Sequence, residues 1–285
     1  MTYPRDEYPL SPQLKPKTQR PTFWFFFAYR YYRILIISPM RIALVGYGRM
    51  WHMIESLARS RGDEISIIVS PETGKVKEDI LTSGVDVVID FSIASVALEN
   101  MQFYAEHDLH VVMGTTGWYG ELAKVKDLFV HSRWAIIWWG NFSLGVHLYW
   151  KMIENAAKIM NQFGDYDVYG HEFHHREKSD SPSGTALTTA QILLEHIERK
   201  DTLITEALTE RKIWPNELHF SSSRGGRVPG THSVYFDSPF DTIELTHTAR
   251  TREGFALGSL LCAEWIQSRQ WYYEIHNFID TLIDQ

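Results

Sequence analysis

The chain has 285 residues, 44% hydrophobic and 22% charged, a balance near the globular average that excludes a disordered, collagenous or repeat-built polypeptide. Its single cysteine, Cys262, excludes an internal disulfide and a cysteine-cage zinc site and points to a reducing compartment. A formal charge of −7 gives no general attraction to nucleic acid or anionic lipid, so neither is expected as a partner, and an anionic ligand needs local basic groups.

Residues 1–39 differ from the rest. They hold six of the eleven prolines and ten of the aromatic residues, and they carry +4, leaving −11 for residues 40–285. The run Phe23-Trp24-Phe25-Phe26-Phe27-Ala28-Tyr29 is cut by Arg30 and Arg33, well short of the ~20 apolar residues of a spanning helix. A secretory signal would place its apolar stretch nearer the start and follow it with a cleavage site of small residues. We read 1–39 as an atypical, poorly ordered or non-native leader, with a membrane-surface or targeting role as the alternative.

From Met40 short apolar runs alternate with helical stretches, the mark of crossover units on a parallel sheet. Arg41-Ile42-Ala43-Leu44-Val45 reads as a strand covered on both faces, because it lacks polar alternation. Gly46-Tyr47-Gly48 makes the turn, and a helix is expected over about 49–61. Strands follow at 65–69, 85–91, 109–113 and 134–138, with helices over about 95–107 and 119–131. Five strand–helix alternations in about 100 residues predict a Rossmann-like, doubly wound α/β domain.

After Asn141 the rhythm changes. A helix over about 144–163 has Val146, Tyr149, Trp150, Ile153, Ala156, Ala157 and Met160 at a 3.6-residue period. A strand at 166–173, a helix at 183–199 and strands near 217–224, 231–237 and 242–250 predict a second α+β domain with a mixed sheet. Apolar helices over about 254–268 and 271–283 either return to the first domain or cap the second. We assign 40–143 with about 253–285 to dinucleotide binding, and 144–252 to substrate binding and oligomerisation.

The turn Gly46-Tyr47-Gly48-Arg49-Met50-Trp51 lies between a strand and a helix. In a dinucleotide fold the first glycine allows the tight turn and the second lets backbone approach a pyrophosphate, which meets the positive end of the helix. Trp51 takes the third position, where a small residue is expected. Ser70 and Glu72 follow the second strand, where an acid often binds ribose hydroxyls. Glu72 reads either as that group or as a solvated loop charge, so NADH and NADPH stay open. The loops Gly114-Thr115-Thr116-Gly117 and Gly140-Asn141-Phe142-Ser143 fall outside the carboxyl ends of strands, where a flat ring could approach, though each alone also reads as an ordinary turn.

The richest segment runs from His171 to Thr185. Ser183-Gly184-Thr185 opens a helix whose free N–H groups and hydroxyls form an anion site, with Lys178 near in sequence. His174 and His175 can serve one site only if the strand ends between them, since neighbours on a strand face opposite ways. His171-x-x-His174 could instead pair on a metal, but no third ligand is evident, and no metal is expected. The plain alternative is a capped helix preceded by surface histidines.

With His174-His175-x-x-Lys178-x-Asp180-x-Pro182-Ser183-Gly184-Thr185-Ala186, the turn at 45–50, Asp90-Phe91-Ser92, Gly114-Thr115-Thr116-Gly117 and Asn141-Phe142-Ser143 in order, residues 40–270 resemble the dihydrodipicolinate reductase family. The resemblance implies a cytoplasmic homotetramer that reduces a small cyclic dicarboxylate with NADH or NADPH in lysine and diaminopimelate biosynthesis. It also implies His174 as proton donor, acting as an imidazolium, and Lys178 as a second acid or carboxylate partner. His175, Lys178, Ser183, Gly184, Thr185 and Thr116 would hold the dicarboxylate. The coenzyme would lie against Gly46, Tyr47, Gly48, Arg49, Met50, Gly114, Thr115, Thr116 and Gly140, Asn141, Phe142, Ser143. Arg224, His232 and Arg252 would serve structural or inter-subunit pairing. Trp51, Ser70 and the leader depart from the family pattern, and overpacking at Trp51 would cost about 1–3 kcal/mol. The rival reading is a non-catalytic relative that binds a small dicarboxylate with its nucleotide site impaired by Trp51. An amino-acid dehydrogenase on a similar plan would not need the paired histidines.

Overall fold

Apolar runs closed by glycine or polar turns build two sheets. The computed structural model describes residues 39–46, 48–130 and 132–283, with the backbone but not the side chain of Arg49. The leader with its aromatic run, and Tyr47, lie outside the described residues.

The first sheet joins β1 (Arg41–Val45), β2 (Glu64–Val69), β3 (Val87–Asp90), β4 (Val111–Met113), β5 (Ala135–Trp138) and β11 (Trp271–Glu274) in the order β11-β5-β4-β3-β1-β2, all parallel. β3, β4 and β5 are buried at every residue, as unbroken apolar runs require when helices cover both faces. The connecting helices are α1 (Arg49–Arg61), α2 (Ala94–Glu106) and α3 (Leu122–Phe129). The chain leaves β1 for β2 on one side and returns to β3 on the other, so the order reverses beside β1 and opens a crevice at the strands' carboxyl ends. Gly46 sits there at φ +114, where a Cβ would lie 2.4 Å from the Phe91 carbonyl oxygen; only glycine fits.

The second sheet has the order β10-β9-β6-β8-β7, from β6 (Asp167–His174), β7 (Thr202–Ile204), β8 (Glu217–Arg224), β9 (Thr231–Asp237) and β10 (Thr242–Thr248). β6 pairs antiparallel with β9 and parallel with β8, which makes the sheet mixed. Helices α4 (Leu144–Met160) and α5 (Gly184–His196) share a core with it, built on Tyr149, Trp150, Ile153, Leu193, Phe220 and Phe236. Along β6 the even-numbered residues face this core and the odd ones are outward.

After β10, α6 (Glu253–Ile266) returns to the first sheet and packs on α1, where Arg61 Nη2 donates to Glu264 Oε2 at 3.0 Å. The expected helix over 271–283 is corrected here. Trp271–Glu274 is the edge strand β11, parallel to β5, and only Ile275–Ile283 (α7) is helical. Three consecutive aromatics favour an extended ladder, whereas Ile275, Phe278 and Ile279 bury at helical spacing. The sequence reading also lacks β7 and the 3₁₀ helix Lys77–Thr82.

Candidate active site

A cleft of about 940 Å³ lies between the loops after β4 and β5 and the β6–α5 segment. Thr116, Gly140, Asn141 and Ser143 line one side. His174, His175, Lys178, Ser183, Gly184 and Thr185 line the other. Tyr119, Trp138, Trp139, Trp150 and Phe255 give the cleft an apolar wall.

The anion cradle follows from local sequence. Ser183 is the N-cap of α5, and its Oγ accepts from Ala186 N at 3.1 Å, as a serine cap does. No acidic residue occupies the first turn itself, so past the capped Ser183 the helix's positive end can face an anion in the cleft. Lys178 Nζ lies 2.7 Å from Asp180 Oδ1. Asn141 Nδ2 reaches Thr185 Oγ1 at 3.5 Å across the cleft, while Asn141 Oδ1 accepts from Ser143 N at 2.8 Å.

β6 ends at His174, so His174 and His175 both line the cleft. His171 does not join them. It lies on the opposite face of the strand, with Nδ1 2.6 Å from Ser221 Oγ, so the His171-x-x-His174 metal pair is not formed. Behind His174 stands Glu172, fully buried. Its Oε1 accepts from Ser183 N at 2.9 Å, Ser222 Oγ at 2.9 Å and Arg224 Nη2 at 2.8 Å. Its Oε2 accepts from Ser183 Oγ and lies 3.3 Å from His232 Nε2 and 3.4 Å from His174 Nδ1. Burial pushes the Glu172 carboxyl up, but hydrogen bonds from His232, Ser183 and Arg224 outweigh it and hold the group well below the usual carboxylate range. Ligand atoms of Glu172, His174 and His232 lie within 4.8 Å of one another. Arg224 on the carboxylate and Lys178 nearby supply positive charge there already, so we read the trio as a hydrogen-bonded proton site.

The charge of His174 is set by its surroundings. Burial lowers His174 to about 4, Glu172 opposes this, and His232, Lys178 and Arg224 add to it. In the protein on its own this imidazole is neutral at pH 7. His147, on α4, is likewise lowered to about 4 by burial, and its Nε2 donates to the Asn141 carbonyl at 2.7 Å, pinning the loop.

At the turn after β1, Gly48 is the N-cap of α1. No side chain caps the helix, its first turn holds no acid, and nothing lies within 4 Å of a Cβ built on Gly48. That is room and free N–H donors for a pyrophosphate, so the turn fits a dinucleotide. Trp51 is half-buried and stacks on His52 with centroids 3.6 Å apart, while α1 packs on β1, β2 and α6. Met50 is half-buried in the same turn. A Cβ on Gly114 would meet the Phe91 ring at 2.2 Å. Thr115 and Phe142 face inward: Thr115 Oγ1 donates to the buried Asp90 at 3.2 Å, and Phe142 meets Phe91 edge-on. Ser70 is buried and bonded within its own turn to Thr73, and Glu72 is exposed.

Sequence reasoning missed Glu172, although it stands two residues before His174 and so on the same strand face. Arg224 and His232, read as pairing residues, are the register partners of His174 and Glu172 on β8 and β9. Arg252 also lines the cleft.

Family models for the N-terminus and C-terminus of dihydrodipicolinate reductase match residues 40–142 and 145–279. The 4-hydroxy-tetrahydrodipicolinate reductase of Christiangramia forsetii is 36% identical over 244 residues, 85% of this chain and 99% of that protein. The enzyme of the same name from Archaeoglobus fulgidus is 35% identical over 261 residues, 85% of this chain and all of that one. A solved structure described as dipicolinate-bound dihydrodipicolinate reductase from Paenisporosarcina sp. TG-14 shares the fold, with a TM-score of 0.65 at 20% identity over 83% of this chain and 98% of that chain. On these matches the chain belongs to the dihydrodipicolinate reductase family and is an NAD(P)H-dependent oxidoreductase.

Proposed function

We propose that the protein reduces 4-hydroxy-tetrahydrodipicolinate to tetrahydrodipicolinate with NADH or NADPH, a cytoplasmic step of lysine and diaminopimelate biosynthesis. One observation carries this reading: His174, His175, Lys178 and the amide mouth of α5 line a single cleft with Thr116 and Asn141. Ser183, Gly184 and Thr185 with Lys178 and His175 hold the carboxylates of the ring, and Thr116 closes on it from the other side. The coenzyme, held by the turn at 46–50 and the loops at 114–116 and 140–143, supplies a hydride when bound. The 4-hydroxyl leaves as water to give the conjugated imine; the ring then gains electron density as it accepts the hydride, and His174 donates the balancing proton. The amide mouth and Lys178 stabilise the negative ring throughout, and holding donor and ring in register supplies much of the rate. Residues 40–143 with about 253–285 hold the coenzyme, and 144–252 hold the ring.

The outer face of the second sheet suits assembly as a homotetramer. Tyr169 and Phe173 are exposed on β6, and Tyr169 stacks on Tyr235 of β9 at 4.9 Å. Exposed aromatics on a sheet face mark an interaction surface.

The purified protein, given freshly made ring substrate, is expected to oxidise NADH or NADPH, and running both coenzymes in parallel reads the preference. No oxidation with either rejects the proposed reaction. Trp51→Gly is expected to tighten NAD(P)H binding at least tenfold in a fluorescence titration, because a dinucleotide fold takes a small residue at the third position of this turn. Equal affinities would mean that the stacked Trp51 leaves the site open.

A further inference from the structure

We propose that Glu172 is the positioning residue for His174: its carboxylate holds the Nδ1 side of the imidazole, aims Nε2 at the cleft and ties the proton donor to the anion cradle. The inference rests on the reading of His174 as proton donor and adds to it a residue that touches neither ring nor coenzyme.

Three observations carry it. First, the carboxylate cannot turn. Six groups from four stretches of chain surround it: Ser183 N and Oγ, Ser222 Oγ, Arg224 Nη2, His232 Nε2 and His174 Nδ1. Such a crowded, fully buried acceptor is a fixed point against which a neighbouring ring is oriented. Second, His174 Nδ1 is buried and, apart from Glu172 at 3.4 Å, has no polar partner among the described residues. A contact of that length is long for a hydrogen bond and tightens once the ring carries charge. The other nitrogen faces Gly230, where a Cβ would come within 2.8 Å of Nε2, so the absent side chain leaves the room that Nε2 needs beside the cleft. Third, the charges facing His174 are Glu172 on its own strand, His232 on β9, Arg224 on β8 and Lys178 on the following loop. Glu172 is the one anion of that set, and it alone favours the charged ring.

The same carboxylate takes both the N–H and the hydroxyl of Ser183, the N-cap of α5. Donor and cradle therefore share one anchor. A proton donor offset from the ring by an ångström would lose rate with little change in binding.

The test is Glu172→Gln, whose amide is nearly isosteric but uncharged. We expect kcat to fall at least tenfold. The alkaline limb of kcat/KM, which reports the protonated donor, is expected to move down by at least one pH unit. The affinity for pyridine-2,6-dicarboxylate, read by fluorescence, is expected to change less than threefold. A kcat within twofold of the parent, or an unmoved limb, would overturn the proposal. Because the substitution leaves Arg224 without its anion and can impair folding, a second measurement uses the unaltered protein. The ¹⁵N resonances of His174, assigned by their loss in His174→Gln, are expected to show Nδ1 protonated and Nε2 bare in the neutral ring; the opposite tautomer overturns the proposal. If the unaltered protein fails to oxidise NAD(P)H with the ring substrate, the functional reading falls, while the tautomer still decides the role of Glu172.

Discussion

His174→Gln is expected to lower turnover by about 10²–10³-fold, within the range that a positioned proton donor contributes, and to leave NAD(P)H affinity within about twofold. Glutamine fills much of the same space and can hydrogen-bond, but it has no proton to give near neutrality. The size of the effect follows from the electrostatics around the ring. On its own the protein holds His174 at about 4, so almost none of it is charged at pH 7. A carboxylate brought to about 5 Å contributes about 3 kcal/mol at an effective dielectric constant of about 20. That is roughly two pH units, enough to lift the group from about 4 to about 6. The doubly charged ring thus makes its own acid: the imidazole becomes a competent donor when its substrate sits beside it. Two measurements follow from one set of pH profiles. The alkaline limb of kcat, which reports the bound state, should lie above that of kcat/KM, which reports the free protein. Full turnover in His174→Gln would remove His174 from the donor role and leave Lys178 as the candidate.

How far this site could be read beforehand depends on how local each part is. Strand β1 was legible because five residues without polar alternation can only be covered on both faces, and the cradle because Ser183-Gly184-Thr185 caps an apolar-periodic helix. The relation between His171 and His174 was also local, since residues three apart on a strand must face opposite ways. The surroundings of Glu172 were not. Arg224 and His232 reach it through the register of β6 with β8 and β9, and pairing between strands about fifty residues apart leaves no periodic trace in a single sequence. The neutrality of His174 was hidden for a related reason: motif reading supplies a histidine, but its charge depends on burial and on Arg224 and Lys178 together. Strand β11 was misread because Trp271-Tyr272-Tyr273 can bury in either conformation, and the free edge of β5, which decides the matter, belongs to a distant part of the chain.

Gly258→Ala tests a different dependence, that of the cleft on the seating of α6, whose first turn lends Phe255 to the cleft wall, and its expected effect is among the largest a methyl group can have here. Helix α6 crosses the loop after β5 so closely that a Cβ on residue 258 would stand 1.7 Å from the Phe142 carbonyl oxygen and 2.9 Å from its carbon. The obstacle is backbone, so no side chain can swing aside. The loop itself is held on several sides: Phe142 is buried against Phe91, Asn141 bonds Ser143, and His147 donates to the Asn141 carbonyl. Helix or loop must therefore move by an ångström or more, and a cost of about 3 kcal/mol, at the upper end of ordinary overpacking, is expected. For a protein of this size that is a fall in thermal midpoint of roughly 6–12 °C. Gly164→Ala, at a position with nothing within 4 Å of the added Cβ, serves as the control and should melt with the parent. The displaced loop carries Asn141, which reaches Thr185 across the cleft, so the substrate KM should rise as well when activity is assayed well below the midpoint. A Gly258→Ala protein that melts within 2 °C of the parent would show that α6 and the loop after β5 do not meet as closely as described, and the coupling between that helix and the cleft would fall with it.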